Sequence, residues 1–256
     1  MPSLDGRLPI LDIWVDPVTT DQALAYVRHV VETGDRPHSI FAVNPEKNFS
    51  VPKNPILWQT FRVADLLIPD GIGIVLAARI LYGARMKRVP GVEFMLEICR
   101  LAAARGYRVF IYGAKEETSK KAVDELIRRY PGLKVVGRAN GYVRDEEMPQ
   151  LIDRINTSGA EILFLALGSP KQEQWFTTHK DSLKRARVCQ GIGGTLDAIT
   201  GNVKRAPEVW CKYNVEWLYR LISEPKRIKR QKVLPVFALL VMVAKLKMIF
   251  HSERKR

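Results

Sequence analysis

Short apolar, β-branched runs alternate with helical periods along most of this 256-residue chain, and that alternation restricts the fold more than any other feature. Candidate strands at residues 39–43, 66–69, 108–112, 134–136, 161–167 and 188–192 each run into Gly, Pro or Asn punctuation. Amphipathic segments lie between them at 20–32, 71–81, 91–104, 116–130, 146–156 and 170–179. In the 91–104 segment Phe94, Leu96, Ile98, Leu101 and Ala102 supply an apolar face, while Glu93, Glu97 and Arg100 face water. Regular alternation of this kind predicts an α/β fold: a mostly parallel sheet with helices on both faces.

The rest of the composition sets bounds. At 46% hydrophobic content the chain can bury a substantial core as one large α/β domain or as one domain plus an appendage, and it is no disordered protein. Cys99, Cys189 and Cys211 are widely separated and without CxxC or His-spaced partners, which argues against a disulfide framework and a zinc site and for a reducing compartment. Asp5 and Asp12 stand where a signal peptide would need a basic region and an unbroken apolar run, so no secretion signal is expected.

Charge is concentrated at one end. From Lys226 to Arg256 ten Lys and Arg oppose the single Glu253, which places nine units of the formal +14 in this tail. Trp210, Trp217 and Tyr219 precede it, and the apolar run 233–244 lies inside it. A basic belt beside apolar surface suits an anionic bilayer, each cation near the lipid contributing about 1 kcal/mol. Twelve uncharged residues reach only about 18 Å as a helix, short of the 20 or so residues of a span, and Lys245 and Lys247 follow. The expectation is an in-plane or docking helix, with a core helix as the alternative. The chain divides on this reading into a catalytic unit at 1–203 and a membrane-associating helical appendage at 204–256.

In open parallel sheets ligands sit at the carboxyl ends of strands, where helix N-termini favour anions. Four strand ends carry unusual residues. Asn44-Pro45-Glu46-Lys47 could be an ordinary Asn-Pro turn or a donor and acceptor pair for a ligand. In Pro69-Asp70-Gly71-Ile72-Gly73, Asp70 reads as the N-cap of the next helix or, equally well placed, as a general base. Gly168-Ser169-Pro170-Lys171-Gln172 makes a clean helix start, with Ser169 as N-cap and Pro170 first in the helix. Lys171, in a first turn where the helix dipole disfavours it, hints at an anionic ligand. Gly191-Ile192-Gly193-Gly194 could cradle phosphate or allow tight packing, and it is neither GxGxxG nor a Walker A loop.

Taken in order, NPEK, PDGIGIV with RVPGVEF, GSPKQEQW, GIGGTLDAITGNVKRAPEVW and EWLYRLISEPKRIKRQ resemble the WecG/TagA/CpsF glycosyltransferases, family 26, over residues 8–232. The resemblance implies a Rossmann-like, GT-E type fold. It implies inverting, metal-independent transfer of N-acetylmannosamine, its uronic acid or a related hexose from a UDP-sugar to a polyprenyl-pyrophosphate-linked saccharide, with no cofactor. The expected place is the cytoplasmic face of the inner membrane, peripherally bound. By position Asp70 would be the general base; Asn44, Glu46, Lys171, Gln172, Gly193, Gly194 and Arg205 would belong to the donor and acceptor pocket. Arg220, Arg227 and Arg230 would reach the leaving pyrophosphate. Some members carry Thr where this chain has Ala42, and that departure favours the WecG-like branch.

The chemistry fits independently. An attacking sugar hydroxyl must lose a proton, which a nearby carboxylate accepts at neutral pH. Departing UDP gains negative charge; the chain has no DxD motif to hold a divalent ion, and arginine forks can neutralise phosphate instead. An oxidoreductase would need GxGxxG after the first strand, where VNPEKNF stands. A nucleic-acid binder is suggested by the pI of 9.8, but charge beside an apolar helix fits lipid better and no RNA- or DNA-binding signature appears. Homo-oligomerisation is left open.

Overall fold

The computed structural model describes residues 6–203, 207, 210, 217–219 and 232–253, with side chains as far as His251. A short antiparallel hairpin, β1 (Leu8–Ile10) and β2 (Ile13–Val15), turns at Leu11, whose φ is 57°. Six further strands follow: β3 (His38–Val43), β4 (Leu66–Pro69), β5 (Arg108–Gly113), β6 (Lys134–Ala139), β7 (Ile162–Ala166) and β8 (Val188–Gly191). They form one sheet in the order β4, β3, β8, β7, β5, β6, parallel at every pairing. The six strands read from the sequence are these six.

The main α-helices among the described residues are α1 (Thr20–Thr33), α2 (Lys47–Ser50), α3 (Pro55–Val63), α4 (Ile72–Tyr82), α5 (Gly91–Arg105), α6 (Glu116–Arg129), α7 (Met148–Thr157), α8 (Lys171–His179), α9 (Thr195–Ile199) and α10 (Val233–Glu253). Alternate strand residues feed two cores. Phe41, Val43, Leu163 and Leu165 pack under the hairpin, α3, α4, α7, α8 and α10. Ile40, Ile162 and Phe164 face the other way, under α1, α5, α6 and α9. A strand buried on both faces must be apolar at every position, which is why ILFLA of β7 shows no alternation. In α5 the expected face is buried with Met95 and Cys99 added, and Leu101 is only half-buried.

Polar groups pin the layers at the amino-terminal edge of the sheet. Arg7 grips Asp16 with two hydrogen bonds of 2.7 and 2.9 Å, and Asp16 accepts the Leu67 N–H at 2.7 Å, tying the hairpin to β4. Asp65 accepts from Arg36 (2.5 Å) and from the N–H and hydroxyl of Ser39 (2.8 and 3.0 Å), joining the starts of β3 and β4.

The C-terminal helix corrects the sequence reading. Lys245 and Lys247 do not end it: α10 continues for 21 residues, about 31 Å at 1.5 Å per residue. Lysine is a good helix former, and Lys245 Nζ donates to the Leu81 carbonyl at the end of α4 at 3.2 Å. Over Val233–His251 the mean hydropathy is 2.2, so by length and composition the helix is sufficient to cross a membrane. One narrow stripe, with Phe237 and Val241, is buried against α4; most of the remaining apolar surface is exposed.

Candidate active site

The carboxyl ends of β4, β3, β8 and β7 lie side by side and carry, in that order, Asp70, Asn44, the Gly193 turn and the loop leading to Gln172. At roughly 4.8 Å per strand this row extends about 14 Å. Parallel strands put all four ends on one edge, so segments far apart in sequence converge on one crevice.

Asp70 does not cap α4, the helix it precedes. Gly71 is the N-cap there and no side chain bonds the cap. Instead, Asp70 Oδ1 accepts the N–H of Gly91, the first residue of α5, at 3.0 Å. The segment 88–91 is brought to it by the Val89 N–H, which donates to the Pro69 carbonyl at 2.8 Å. The carboxylate is half-buried and stands at a helix N-terminus, where negative charge is favoured.

Asn44 is half-buried, and its Oδ1 accepts the Lys47 N–H at 3.3 Å, closing the turn into α2. The Asp70 and Asn44 segments touch through glycine. A Cβ at Gly71 would lie 2.9 Å from Pro45 Cδ and 3.1 Å from Asn44 Cβ, and one at Gly73 would fall 2.6 Å from Pro45 Cγ. The contacts with Pro45 are too short for a side chain, so the two loops approach closely only because both positions are glycine. Glu46, half-buried, is the N-cap residue of α2.

On the far side of β3, Gln172 is buried and its Oε1 accepts the Gly193 N–H at 2.9 Å. Gly193 sits at φ +52°, a conformation that frees the turn to present its backbone. Gln172 therefore orders the glycine turn. Gly194 is exposed at the start of α9, and Lys171 is exposed in the first turn of α8. Ser169 is not the N-cap expected of it. Pro170 holds that position, and the Ser169 hydroxyl accepts Lys47 Nζ at 2.5 Å. Arg205, Arg220, Arg227 and Arg230 lie outside the described residues.

Two features escaped the sequence reading. One is the bond from Gly91 to Asp70, whose only signal was the proximity of RVPG to PDG in the same motif set. The other is a buried ion pair between Lys47 Nζ and Glu173 Oε1 at 2.7 Å, hidden because each residue reads as an ordinary surface charge on a short helix.

The parallel sheet brings a carboxylate, two carboxamides and a glycine turn to neighbouring strand ends, the edge at which open α/β sheets hold their ligands. The profile of the glycosyl transferase WecG/TagA/CpsF family matches residues 8–250. A relative from Bacillus subtilis (strain 168), an N-acetylglucosaminyldiphosphoundecaprenol N-acetyl-beta-D-mannosaminyltransferase, is 34% identical over 203 residues, covering 79% of this chain and 78% of that protein. One of the same name from Bacillus spizizenii (strain ATCC 23059 / NRRL B-14472 / W23) is 32% identical over the same length and shares. The chain belongs to the WecG/TagA/CpsF family of glycosyltransferases.

Proposed function

We propose that the protein moves N-acetylmannosamine, its uronic acid or a related hexose from a UDP-sugar onto a polyprenyl-diphosphate-linked N-acetylglucosamine, with inversion and without a metal ion. N-acetylmannosamine and a diphosphate-linked N-acetylglucosamine acceptor are named for the two Bacillus relatives. The observation that carries the mechanism is the carboxylate of Asp70, oriented by the Gly91 N–H at a strand end whose next residue, Gly71, abuts the Asn44 loop. In this reading the acceptor hydroxyl attacks the anomeric carbon as its proton passes to Asp70. The bond from that carbon to the β-phosphate oxygen breaks and UDP leaves. Attack from the face opposite the departing UDP inverts the anomeric centre, and no covalent sugar intermediate is needed.

Asn44 and Glu46 are proposed to hold the sugars, with Gln172, Gly193, Gly194 and Lys171 on the diphosphate side. Arg205, Arg220, Arg227 and Arg230 are proposed to balance the charge on UDP, since the sequence has no DxD motif and guanidinium forks match phosphate oxygens.

A peripheral position on the cytoplasmic face of the inner membrane completes the reading. Leu239, Met242, Leu246 and Phe250 of α10 are half or more exposed, and Leu76 of the neighbouring α4 is 50% exposed. Such contiguous apolar surface beside a basic tail is characteristic of lipid contact. The test is a panel of UDP-sugars with a short-chain prenyl-diphosphate acceptor in EDTA. Turnover of one UDP-hexosamine or its uronic acid is expected; activity abolished by EDTA and restored by a divalent ion would contradict the metal-free mechanism.

A further inference from the structure

Lys47 and Glu173 form a buried connection between two loops of the site. Lys47 belongs to α2, three residues after Asn44, and Glu173 to α8, one residue after Gln172. Lys47 is 8% exposed and Glu173 fully buried. Nζ of Lys47 donates to Glu173 Oε1 at 2.7 Å and to Ser169 Oγ at 2.5 Å, and it lies 4.9 Å from the centroid of the Phe61 ring. The hydrogen bonds run on in both directions. Asn44 Oδ1 accepts the Lys47 N–H, and Gln172, the neighbour of Glu173, accepts the Gly193 N–H. One chain of contacts thus joins the carboxyl ends of β3, β7 and β8.

Burying such a pair is a poor way to stabilise a protein. Desolvating two charges costs several kcal/mol per ion, and apolar replacements are often as stable. The arrangement here is not even fully satisfied, because Glu173 Oε2 is buried with no hydrogen-bond partner among the described residues. What the pair does provide is geometry: a short, directional, low-dielectric contact that fixes the start of α8 against the end of β3.

We propose that Lys47 and Glu173 are positioning residues for the transfer, holding Gln172 and, through it, the Gly193 turn in register with Asn44 and Asp70. The proposal rests on the reading of Gln172 as part of the donor pocket. Neither side chain touches substrate; their effect passes through Gln172.

The test compares the full-length wild type with Lys47→Met, Glu173→Gln and the pair together, each with and without Gln172→Ala, in steady-state kinetics and thermal unfolding. Either single change leaves an uncompensated buried group and lowers the melting temperature. The double change removes both charges and is expected to recover most of that loss, while kcat stays down about tenfold or more. In the Gln172→Ala background the double change is expected to alter kcat less than about twofold, since residues acting through one another are not additive. The proposal is overturned if the double variant recovers kcat together with stability, which would make the pair merely structural. It is equally overturned if its loss multiplies in full with that of Gln172→Ala. Should Gln172→Ala alone have wild-type kcat and KM, the pocket reading of Gln172 falls as well, and that outcome is distinct from the other two.

Discussion

The Gly91 N–H points at Asp70 Oδ1 from 3.0 Å, so the carboxylate that ends β4 is oriented by the first residue of α5 and not by the helix that follows it in the chain. The bond ties PDG to RVPG. The second motif supplies the donor that aims the first.

Replacing Gly91 tests this directly. Proline lacks the N–H but suits the first position of a helix, and Pro90 already has the extended ψ of 132° that a residue before proline needs. Gly91→Pro should therefore fold and lower kcat about tenfold, the equivalent of losing about 1.5 kcal/mol from a hydrogen bond to a charged group. Gly91→Ala is the control: it keeps the donor, and among the described residues its Cβ would meet only Ala42 Cβ, at an ordinary 3.7 Å. It should stay within about threefold of wild type. Equal kcat in the Pro and Ala variants would show that the bond does not matter to the transfer.

Acid should act through Asp65, at the opposite edge of the sheet from Asp70. Burial pushes its carboxyl up, but hydrogen bonds from His38, Arg36 and the Ser39 N–H outweigh that and leave it well below the usual carboxylate range. A carboxyl with a depressed folded-state pKa contributes stability above its unfolded value, about 3.9, and loses it as pH falls further. The unfolding free energies of wild type and Asp65→Asn should therefore be well separated at pH 6 and converge as pH is lowered through 4 toward 2. A gap that widens on acidification would contradict the assignment.

The outer face of α10 invites a lipid test. Leu239→Glu with Met242→Glu puts negative charge on residues 64% and 51% exposed, leaving Phe237 and Val241 packed on α4. Melting temperature should change little, since surface substitutions are usually within about 0.5 kcal/mol. Sedimentation with vesicles containing anionic lipid should fall several-fold. Unchanged vesicle binding would show that this face does not meet the bilayer.

Much of the fold was legible because its strands are buried on both faces. ILFLA of β7 and LLIP of β4 read as unbroken apolar runs, and the period change to α5 or α6 is sharp. The hairpin was not legible, since its three-residue strands depend on tertiary pairing and on Arg7 holding Asp16. Helix α3 was missed although Asn54 and Pro55 are an ordinary start signal; Asn54 Oδ1 does accept the Ile56 and Leu57 N–H groups. At the site, sequence placed Asp70, Asn44 and Gln172 at strand ends but not their partners. Asp70 chose Gly91 over its own helix, and Ser169 turned to Lys47, because a side chain at a crossing of loops is captured by whichever charged or backbone group the packing brings nearest. The long reach of α10 was hidden by counting Lys245 as a stop. Its ammonium instead finds the carbonyl of Leu81.

The central claim is that Asp70 accepts the proton of the attacking hydroxyl, and Asp70→Asn is the most direct measurement of it. Asparagine keeps the shape and an oxygen for the Gly91 N–H but cannot take a proton at neutral pH. With the UDP-sugar identified by the donor panel and the short-chain prenyl-diphosphate acceptor, kcat should fall about 100- to 10,000-fold, the range of general-base catalysis, with KM for donor within about threefold and an unchanged melting temperature. Turnover by Asp70→Asn equal to that of wild type would contradict the account.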